Sequence, residues 1–141
     1  MRSIVQGATL LFVYGTMKSP CRNWNRLYHA NALKIGNQFH TNDRFDMFLG
    51  ASVSAPYAVR NEAGSPILGE LYAINEDQLP LIDSFEGHPT VYRREPVALQ
   101  GFNDRCRDDL IVEMYVFVGE LLPSDRSILA INGVLDYDPW S

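Results

Sequence analysis

The run Leu10-Leu11-Phe12-Val13-Tyr14, which ends at Gly15, constrains the fold more than any other stretch of the sequence. An unbroken apolar and aromatic run followed by glycine predicts a buried strand and a turn in which the backbone is exposed. Successive backbone N–H groups in such a turn, here Gly15-Thr16-Met17-Lys18, can form an anion-binding nest. A core strand followed by an ordinary turn is the alternative, and this stretch alone does not decide between them.

The length and composition are those of one globular domain, and we expect residues 1–141 to form a single domain. Hydrophobic residues make up 46% and charged residues 21% of the chain, which argues against disorder. The net charge of −5 argues against nucleic acid as the main partner. Because no stretch approaches the ~20 apolar residues of a membrane span, we expect no membrane association and a cytoplasmic location.

The cysteines and histidines lack the spacing of a metal site or a disulfide framework. Cys21 and Cys106 are far apart and form no CxxC pair, and His29, His40 and His88 show no helical ligand spacing. We therefore expect two free thiols in a reducing compartment and no metal site.

Most of the chain shows short strand patterns separated by turn residues. These patterns lie at residues 34–41, 45–50, 57–61, 67–74, 92–99 and 110–118. The patterns at 67–74 and 110–118 are apolar on both faces, which predicts central strands. Pro56 predicts an edge strand or a strand start, and Gly69 a bulge or a close backbone approach. The composition of residues 61–66 is typical of a hairpin loop.

Short helices are predicted in three places. Residues 22–32 place Trp24, Leu27 and Tyr28 on one apolar face. A second helix precedes Gly87, and a third is predicted at 124–131. Because strands mostly follow strands, the pattern favours an α+β class, a small mixed β-barrel with a few short packed helices, over a βαβ repeat.

The second helix follows Asn75, which is predicted to be its N-cap with Gln78 as capping-box partner. Gly87 is predicted to end this helix. The apolar residues that recur on its inward side are Leu79, Ile82 and Phe85.

Glu86 stands at the end of this apolar face. A carboxylate among Phe85, Tyr92 and a turn loses solvation, which raises its pKa and suits it to act as a base near neutral pH. A solvated glutamate, or one that pairs with Arg93 or Arg94, is the alternative. The local sequence does not decide between the two.

Three segments resemble, in order, motifs of the γ-glutamylcyclotransferase-like superfamily. Residues 12–18, FVYGTMK, are similar to its F-V-Y-G-[ST]-L-K loop, and residues 69–72, GELY, to its G-E-(L/V)-Y strand. Residues 82–94, IDSFEGHPTVYRR, are similar to its (L/I)-D-x-F-E-x-x-P-x-x-Y-x-R segment. Within the superfamily the chain most resembles the γ-glutamylamine cyclotransferase and AIG2-like branch.

This resemblance implies a small β-barrel with packed helices and an intramolecular aminolysis. The α-amino group of a γ-glutamyl amine or γ-glutamyl amino compound attacks its own γ-carbonyl, and 5-oxoproline and a free amine are released. The reaction requires no metal or other cofactor. The expected partner is thus a small γ-glutamyl molecule, and we expect the protein to be a monomer or a weak homodimer.

The resemblance also assigns roles to individual residues. Glu86 matches the family's proton acceptor. The substrate-cradling loop corresponds to Tyr14, Gly15, Thr16 and Met17. Tyr92 and Arg94 are candidates for a supporting layer behind these residues, with a core tyrosine and a surface ion-pair partner as the alternatives.

Departures from the family pattern leave the substrate open. Met17 replaces the usual leucine of the loop, and Phe117 stands where a tyrosine is expected. The charged loop at residues 101–108 has no match. Phe117 and this loop motivate an alternative function, a non-catalytic ligand-binding or regulatory module on the same fold. A phosphate-binding role for Gly15-Thr16-Met17-Lys18 lacks the glycine spacing of a P-loop.

Overall fold

The computed structural model describes residues 8–15, 24–50, 56–100, 111–121 and 125–137. Within these ranges the chain forms eight strands and two α-helices. Their bounds are β1 Ala8–Val13, α1 Trp24–His29, β2 Leu33–His40, β3 Phe45–Leu49, β4 Pro56–Arg60, β5 Leu68–Asn75, α2 Leu79–Glu86, β6 Tyr92–Val97, β7 Val112–Phe117 and β8 Arg126–Ile128. None of the helices in the described ranges is long and apolar enough to cross a membrane.

The strands form two sheets. The larger has the order β2-β5-β1-β7-β6, and the smaller has the order β4-β3-β8. Within the larger sheet β1 runs parallel to β7 and antiparallel to β5. The predicted α+β class, with a small mixed barrel-like arrangement and a few short helices, is confirmed. Within the described ranges the strands are hydrogen-bonded as two separate sheets, so the barrel is not closed.

Strand β1 is buried on both faces, as predicted. Phe12 packs with Met47 in a cluster shared with the small sheet. Leu11 faces the opposite side and packs with Leu27 of α1 and Ile82 of α2. Burial of each such side chain contributes roughly 1.5–3 kcal/mol. The centre of the large sheet therefore anchors both the small sheet and the helices.

The predictions for the other strands also hold. Strands β5 and β7 are central in the large sheet, and β4 begins at Pro56 on the edge of the small sheet. At Gly69 an added Cβ would lie 2.4 Å from the carbonyl oxygen of Val13. The close backbone approach predicted for this glycine is thus confirmed.

Helix α2 has the predicted buried face and end but not the predicted capping box. Leu79 and Ile82 are buried, and Phe85 packs against them. Gly87 adopts a left-handed conformation with φ of 69° and ends the helix. A 3-10 turn, Glu76–Gln78, separates Asn75 from the α-helix, and the Asn75 side chain makes no capping hydrogen bond. The capping-box prediction is therefore wrong, because the extra turn moves the helix start to Leu79.

Three other local predictions need correction. The segment at 125–131 contains the strand β8 rather than a helix, because β3 offers it a backbone partner. Residues 61–66 do not close a hairpin, since they join β4 of the small sheet to β5 of the large one. On α1 only Leu27 of the predicted face is buried, whereas Trp24 is 39% and Tyr28 67% exposed.

Candidate active site

Four predicted or suspected residues meet at one end of the large sheet. Strands β1 and β7 are parallel, so Tyr14, which follows β1, lies at the same end as Phe117 at the end of β7. Strand β6 is antiparallel to β7 and begins there, with Tyr92 opposite Phe117. Helix α2 ends at Glu86 shortly before β6. The topology alone thus places Glu86 and the turn after β1 at the same end.

The Glu86 carboxyl group is desolvated and lacks a charge partner in the described part of the chain. The residue is partly exposed, but surrounding protein raises the pKa of its carboxyl group to about 7 by burial. Within the described ranges no cation forms an ion pair with it, and Arg93 and Arg94 pair with other carboxylates. The structure therefore favours a desolvated Glu86 over a solvated or paired one.

Three tyrosine hydroxyls lie within electrostatic range of Glu86. Burial is the largest cause that raises the pKa of Tyr14, Tyr92 and Tyr115, and the negative charge of Glu86 raises each pKa further. The three hydroxyls consequently remain protonated at neutral pH and act as hydrogen-bond donors. Because Tyr14 is among them, the start of the predicted substrate loop lies within electrostatic range of Glu86.

The first residues of the predicted loop pack against strand β4. The Tyr14 hydroxyl donates a hydrogen bond to the carbonyl oxygen of Tyr115 at 2.8 Å. Its oxygen accepts a hydrogen bond from the backbone of Ala58 in β4. A Cβ added to Gly15 would lie 3.1 Å from Cγ of Pro56. Little space remains for a side chain at Gly15. These contacts fix the point at which the loop leaves the sheet.

Asp83, one turn before Glu86 on α2, ties the helix to the sheet. The Arg94 atoms Nε and Nη2 each lie 3.1 Å from an Asp83 carboxylate oxygen, and the Tyr115 hydroxyl lies 2.5 Å from Oδ1. Arg94 Nη1 also donates to Glu113 at 2.6 Å. Burial alone would raise the pKa of Asp83, but the hydrogen bonds from Arg94 and Tyr115 hold it below its ordinary value. The network holds the last turn of α2, and with it Glu86, against β6 and β7.

An aromatic cluster, formed by Tyr57, Tyr92 and Phe117, borders the same site. The rings of Tyr57 and Phe117 stack with centroids 4.4 Å apart and planes at 10°. The Tyr92 ring meets Phe117 edge to face at 5.7 Å, and its hydroxyl donates to the carbonyl oxygen of Pro56 at 3.1 Å. All three cluster residues are partly exposed. Phe117, the departure from the family pattern, thus faces a ring from the small sheet.

The structure brings together most of the residues predicted for the site. Those that lie at this end of the sheet are Tyr14, Gly15, Glu86, Tyr92 and Arg94. Thr16 and Met17 lie outside the described residues. In the described part of the chain no group of three or more His, Cys, Asp or Glu residues is arranged to hold a metal ion.

The sequence interpretation missed two contributors, Tyr115 and Tyr57. Tyr115 reaches the site from β7, and Tyr57 reaches it from the small sheet. Each lies in an ordinary strand pattern, so no local signal separated it from a core residue. One hint of an altered site was Phe117, which stands where the family pattern has a tyrosine and whose ring stacks on Tyr57.

The geometry can be compared with known proteins. A family model described as "Gamma-glutamyl cyclotransferase, AIG2-like" matches residues 11–132, a range that contains most of the large sheet and every residue of the site. The chain belongs to this family. The family assignment confirms the resemblance seen in the loop, strand and helix motifs.

Two relatives are similar over about two thirds of the chain. A Methanocaldococcus jannaschii protein, named provisionally as a gamma-glutamylcyclotransferase, is 35% identical over 89 residues, which are 63% of this chain and 70% of that protein. The human gamma-glutamylaminecyclotransferase is 29% identical over 101 residues, which are 69% of this chain and 65% of that protein. The match thus leaves about a third of each relative uncovered.

Solved structures share the fold. An AIG2-like protein from Mus musculus superposes with a TM-score of 0.70 at 21% identity, covering 82% of this chain and 80% of that one. The allophanate hydrolase of Kluyveromyces lactis superposes with a TM-score of 0.68 at 17% identity, covering 86% of this chain but 19% of that one. The fold of this AIG2-like protein therefore also occurs as a small part of a larger chain.

Proposed function

We propose that this protein is a γ-glutamylcyclotransferase-type enzyme that releases 5-oxoproline and a free amine from a γ-glutamyl amine or γ-glutamyl amino compound. The observation that carries the proposal is Glu86, a carboxyl group whose pKa burial raises to about 7 and that lies within range of Tyr14. A base with a pKa near the working pH is partly ionised and still accepts a proton effectively. Membership of the AIG2-like family supports the same reaction class.

In the proposed reaction Glu86 activates the nucleophile. The α-amino group of the substrate has a pKa of about 8, so roughly a tenth of it is neutral at pH 7. Glu86 accepts one proton from this ammonium, and the freed nitrogen attacks the γ-carbonyl carbon. Nucleophile and electrophile belong to one molecule, so holding the glutamyl chain in a folded conformation supplies several kcal/mol of the acceleration.

Bond changes and proton transfers balance without a co-reactant. A C–N bond forms and closes the five-membered ring, and the γ-carbonyl oxygen becomes an oxyanion. The bond between that carbon and the leaving nitrogen then breaks as Glu86 returns its proton to the leaving nitrogen. The ring nitrogen releases its remaining extra proton, which the free amine takes up in water.

The turn after β1 is proposed to hold the part of the substrate that does not change. Backbone N–H groups from Gly15 to Met17 would bind the substrate carboxylate or the oxyanion. The first two residues of this turn support the role, because a hydrogen bond holds Tyr14 and packing against Pro56 holds Gly15. Tyr92 and Arg94 are proposed to support the site: Tyr92 contacts Pro56, and Arg94 holds Asp83.

The test is 5-oxoproline release from γ-glutamyl-ε-lysine, γ-glutamyl-alanine and glutathione by wild type and Glu86→Gln. We expect release by wild type and loss of about 10²- to 10⁴-fold in the variant, the usual contribution of a positioned acid–base group. Glu62→Gln, an exposed position in the β4–β5 connection, removes the same charge and is the matched control. Release that survives in Glu86→Gln would mean that the base is assigned wrongly.

A ligand-binding module without turnover remains the second candidate. It is favoured by Phe117, which presents a ring to Tyr57 where the family pattern expects a tyrosine hydroxyl. Such a module would be stabilised against heat by 5-oxoproline and would form no product from any of the three substrates. Turnover that depends on Glu86 would exclude it.

A further inference from the structure

A chain of hydrogen bonds joins the first residue of α1 to strand β5. Nε1 of Trp24 donates to the Tyr72 hydroxyl at 3.0 Å, and this hydroxyl donates to Oε1 of Glu70, also at 3.0 Å. Nζ of Lys34, in β2, lies 3.6 Å from the other oxygen of the same carboxylate. An indole nitrogen can only donate and a tyrosine hydroxyl has one proton, so the order of donors and acceptors in this chain is fixed.

The sheet end of this network is buried. Glu70 is 6% and Tyr72 2% exposed, and burial together with the charge of Glu70 raises the pKa of the Tyr72 hydroxyl. The hydroxyl therefore stays protonated at neutral pH. Trp24 is exposed and forms the accessible end of the network. Because a buried polar group that loses its partner costs free energy, the network favours the position of Trp24 in which Nε1 reaches Tyr72.

Strand β5 places this network beside the start of the proposed substrate turn. In the antiparallel register of β1 and β5, Leu11 pairs with Tyr72 and Val13 pairs with Glu70. Residues that stand opposite each other in such a pair share one face of the sheet, here the face on which α1 and α2 pack. Tyr14, where the turn begins, directly follows Val13. The network and the start of the turn therefore meet the sheet at neighbouring positions.

The connection between β1 and α1 is thus held at both ends. Before it, the Tyr14 hydroxyl is bonded to the carbonyl oxygen of Tyr115 in β7. After it, the Trp24 indole is bonded to Tyr72 in β5. Strands β5 and β7 flank β1 in the large sheet. The two hydrogen bonds therefore attach the two ends of residues 15–23 to strands on opposite sides of β1.

We propose that Trp24 is a positioning residue for substrate binding, whose indole N–H, bonded to Tyr72, fixes the far end of the connection that begins with the substrate turn at Gly15. This inference rests on the proposed function and adds a residue to the support of its binding turn. Trp24 acts through the turn and not on the reacting atoms. Without this anchor a smaller fraction of the protein holds the turn in the binding position, and the apparent dissociation constant rises as that fraction falls.

Trp24→Phe tests the inference, because it keeps an aromatic ring and removes the N–H donor. We expect KM for γ-glutamyl-alanine to rise by about 2- to 12-fold, the effect of one hydrogen bond. The inhibition constant of 5-oxoproline, which retains the carboxylate of the glutamyl half, should rise with it. We expect little change in kcat, since the turn holds the part of the substrate that does not change. A loss of folded protein would instead lower the apparent kcat and leave KM as it is in wild type.

Two further variants show whether Trp24 acts through Tyr72. Tyr72→Phe removes the hydroxyl that accepts from Trp24 and should raise KM by a similar factor, and Trp24→Phe should add little in that background. Tyr28→Phe is the matched control, because it removes an exposed hydroxyl group from the same helix and keeps the ring. Its KM should equal that of wild type. Thermal melting checks folding, and if Trp24→Phe or Tyr72→Phe does not fold, the KM of the other decides.

The outcomes are distinct. An unchanged KM in folded Trp24→Phe, a fall in kcat alone, or additive effects of Trp24→Phe and Tyr72→Phe would overturn the positioning role of Trp24 and leave the proposed function standing. Failure of the wild-type protein to form 5-oxoproline from any γ-glutamyl compound would overturn the function and the positioning role together.

Discussion

Asp83 and Glu86 lie one turn apart on α2, and their pKa values move in opposite directions. Burial disfavours the charge of both, but Asp83 receives hydrogen bonds from Arg94 and Tyr115 that outweigh it. Glu86 has no such described partner, so burial raises its pKa to about 7. Two carboxyl groups whose environments separate their pKa values are the usual sign of a division between structural and proton-transfer roles.

The pH dependence of the reaction is the first prediction. The base is active when Glu86 is ionised, and its pKa is about 7. We therefore expect kcat/KM to rise as pH increases through about 7, measured by 5-oxoproline release in buffers from pH 5 to 8.5. A profile that is flat above pH 5 would show that Glu86 has an ordinary pKa in the free enzyme.

The second prediction is that ionisation of Glu86 lowers the free energy of unfolding. Burial raises the pKa of Glu86 in the folded protein to about 7, above the unfolded value of 4.5. The protein therefore has its full stability below pH 4.5, where Glu86 is protonated in both states, and loses stability as pH rises through about 7. For a fully buried carboxyl group, this pKa shift would lower the free energy of unfolding by about 3 kcal/mol at pH 8. Because Glu86 is partly exposed, we expect a decrease of about 1–2 kcal/mol.

Urea unfolding at pH 5 and pH 8 measures this effect. Glu86→Gln should exceed wild type in unfolding free energy at pH 8 and lose that advantage at pH 5. Glu62→Gln, the exposed control, should show no comparable change. A variant less stable than wild type at pH 8 would indicate that the Glu86 carboxylate has a stabilising partner.

The third prediction concerns Arg94, which acts through Asp83 rather than on the substrate. Arg94→Met leaves Asp83 without its two-point partner and should lower the unfolding free energy by about 1–3 kcal/mol, since the pair is about one-fifth exposed. Arg94→Lys keeps the charge but cannot bind both carboxylate oxygens in the same way, so its effect should be intermediate.

A positioning role for Arg94 has its own readouts. Combining Arg94→Met with Asp83→Asn should reveal a coupling energy of about 0.5–3 kcal/mol in a double-mutant cycle. In Arg94→Met the midpoint of the rising limb of kcat/KM against pH should also move, because Glu86 changes its surroundings. Additive effects together with an unmoved midpoint would contradict the role.

The fourth prediction concerns the close approach of β1 to β5. In Gly69→Ala the new Cβ would meet the Val13 carbonyl oxygen at 2.4 Å, so the strands must shift, and we expect a loss of about 1–3 kcal/mol or more. Gly133→Ala is the control: its space is open, but its φ of 77° makes a side chain cost about 1–2 kcal/mol. Thermal melting of both variants compares a steric clash with backbone strain, and a Gly69→Ala melting temperature equal to that of wild type would contradict the clash at Gly69.

The sequence predicts the centre of the fold better than its edges. The run from Leu10 to Val13 predicted a buried strand because burial on both faces leaves an unbroken apolar pattern. The helix expected at 124–131 is instead a strand at its centre, because the open edge of β3 supplies hydrogen bonds that no local pattern reveals. In this segment, pairing with β3 outweighs the local helix propensity.

Part of the site was predictable for a similar reason. The apolar neighbours of Glu86 indicated desolvation, but the choice of Arg94 between Asp83 and Glu86 depends on how α2 sits on β6 and β7. Tyr57 lies in the small sheet, so its contact with Phe117 of the large sheet could be seen only in the tertiary structure. The family motifs supplied the loop after Tyr14, of which Thr16 and Met17 lie outside the described residues.

The parallel pairing of β1 with β7 has a consequence for the order of synthesis. Leu10 pairs with Val112, so the strand that leads into the proposed substrate loop is flanked on one side by a strand made much later. When only the first hundred residues have been synthesised, Glu86 is present, but Tyr115 is not. The carbonyl oxygen that accepts the hydrogen bond from the Tyr14 hydroxyl is therefore still missing. Chain termination before β7 would therefore give a protein that carries the proposed base and cannot assemble the site around it.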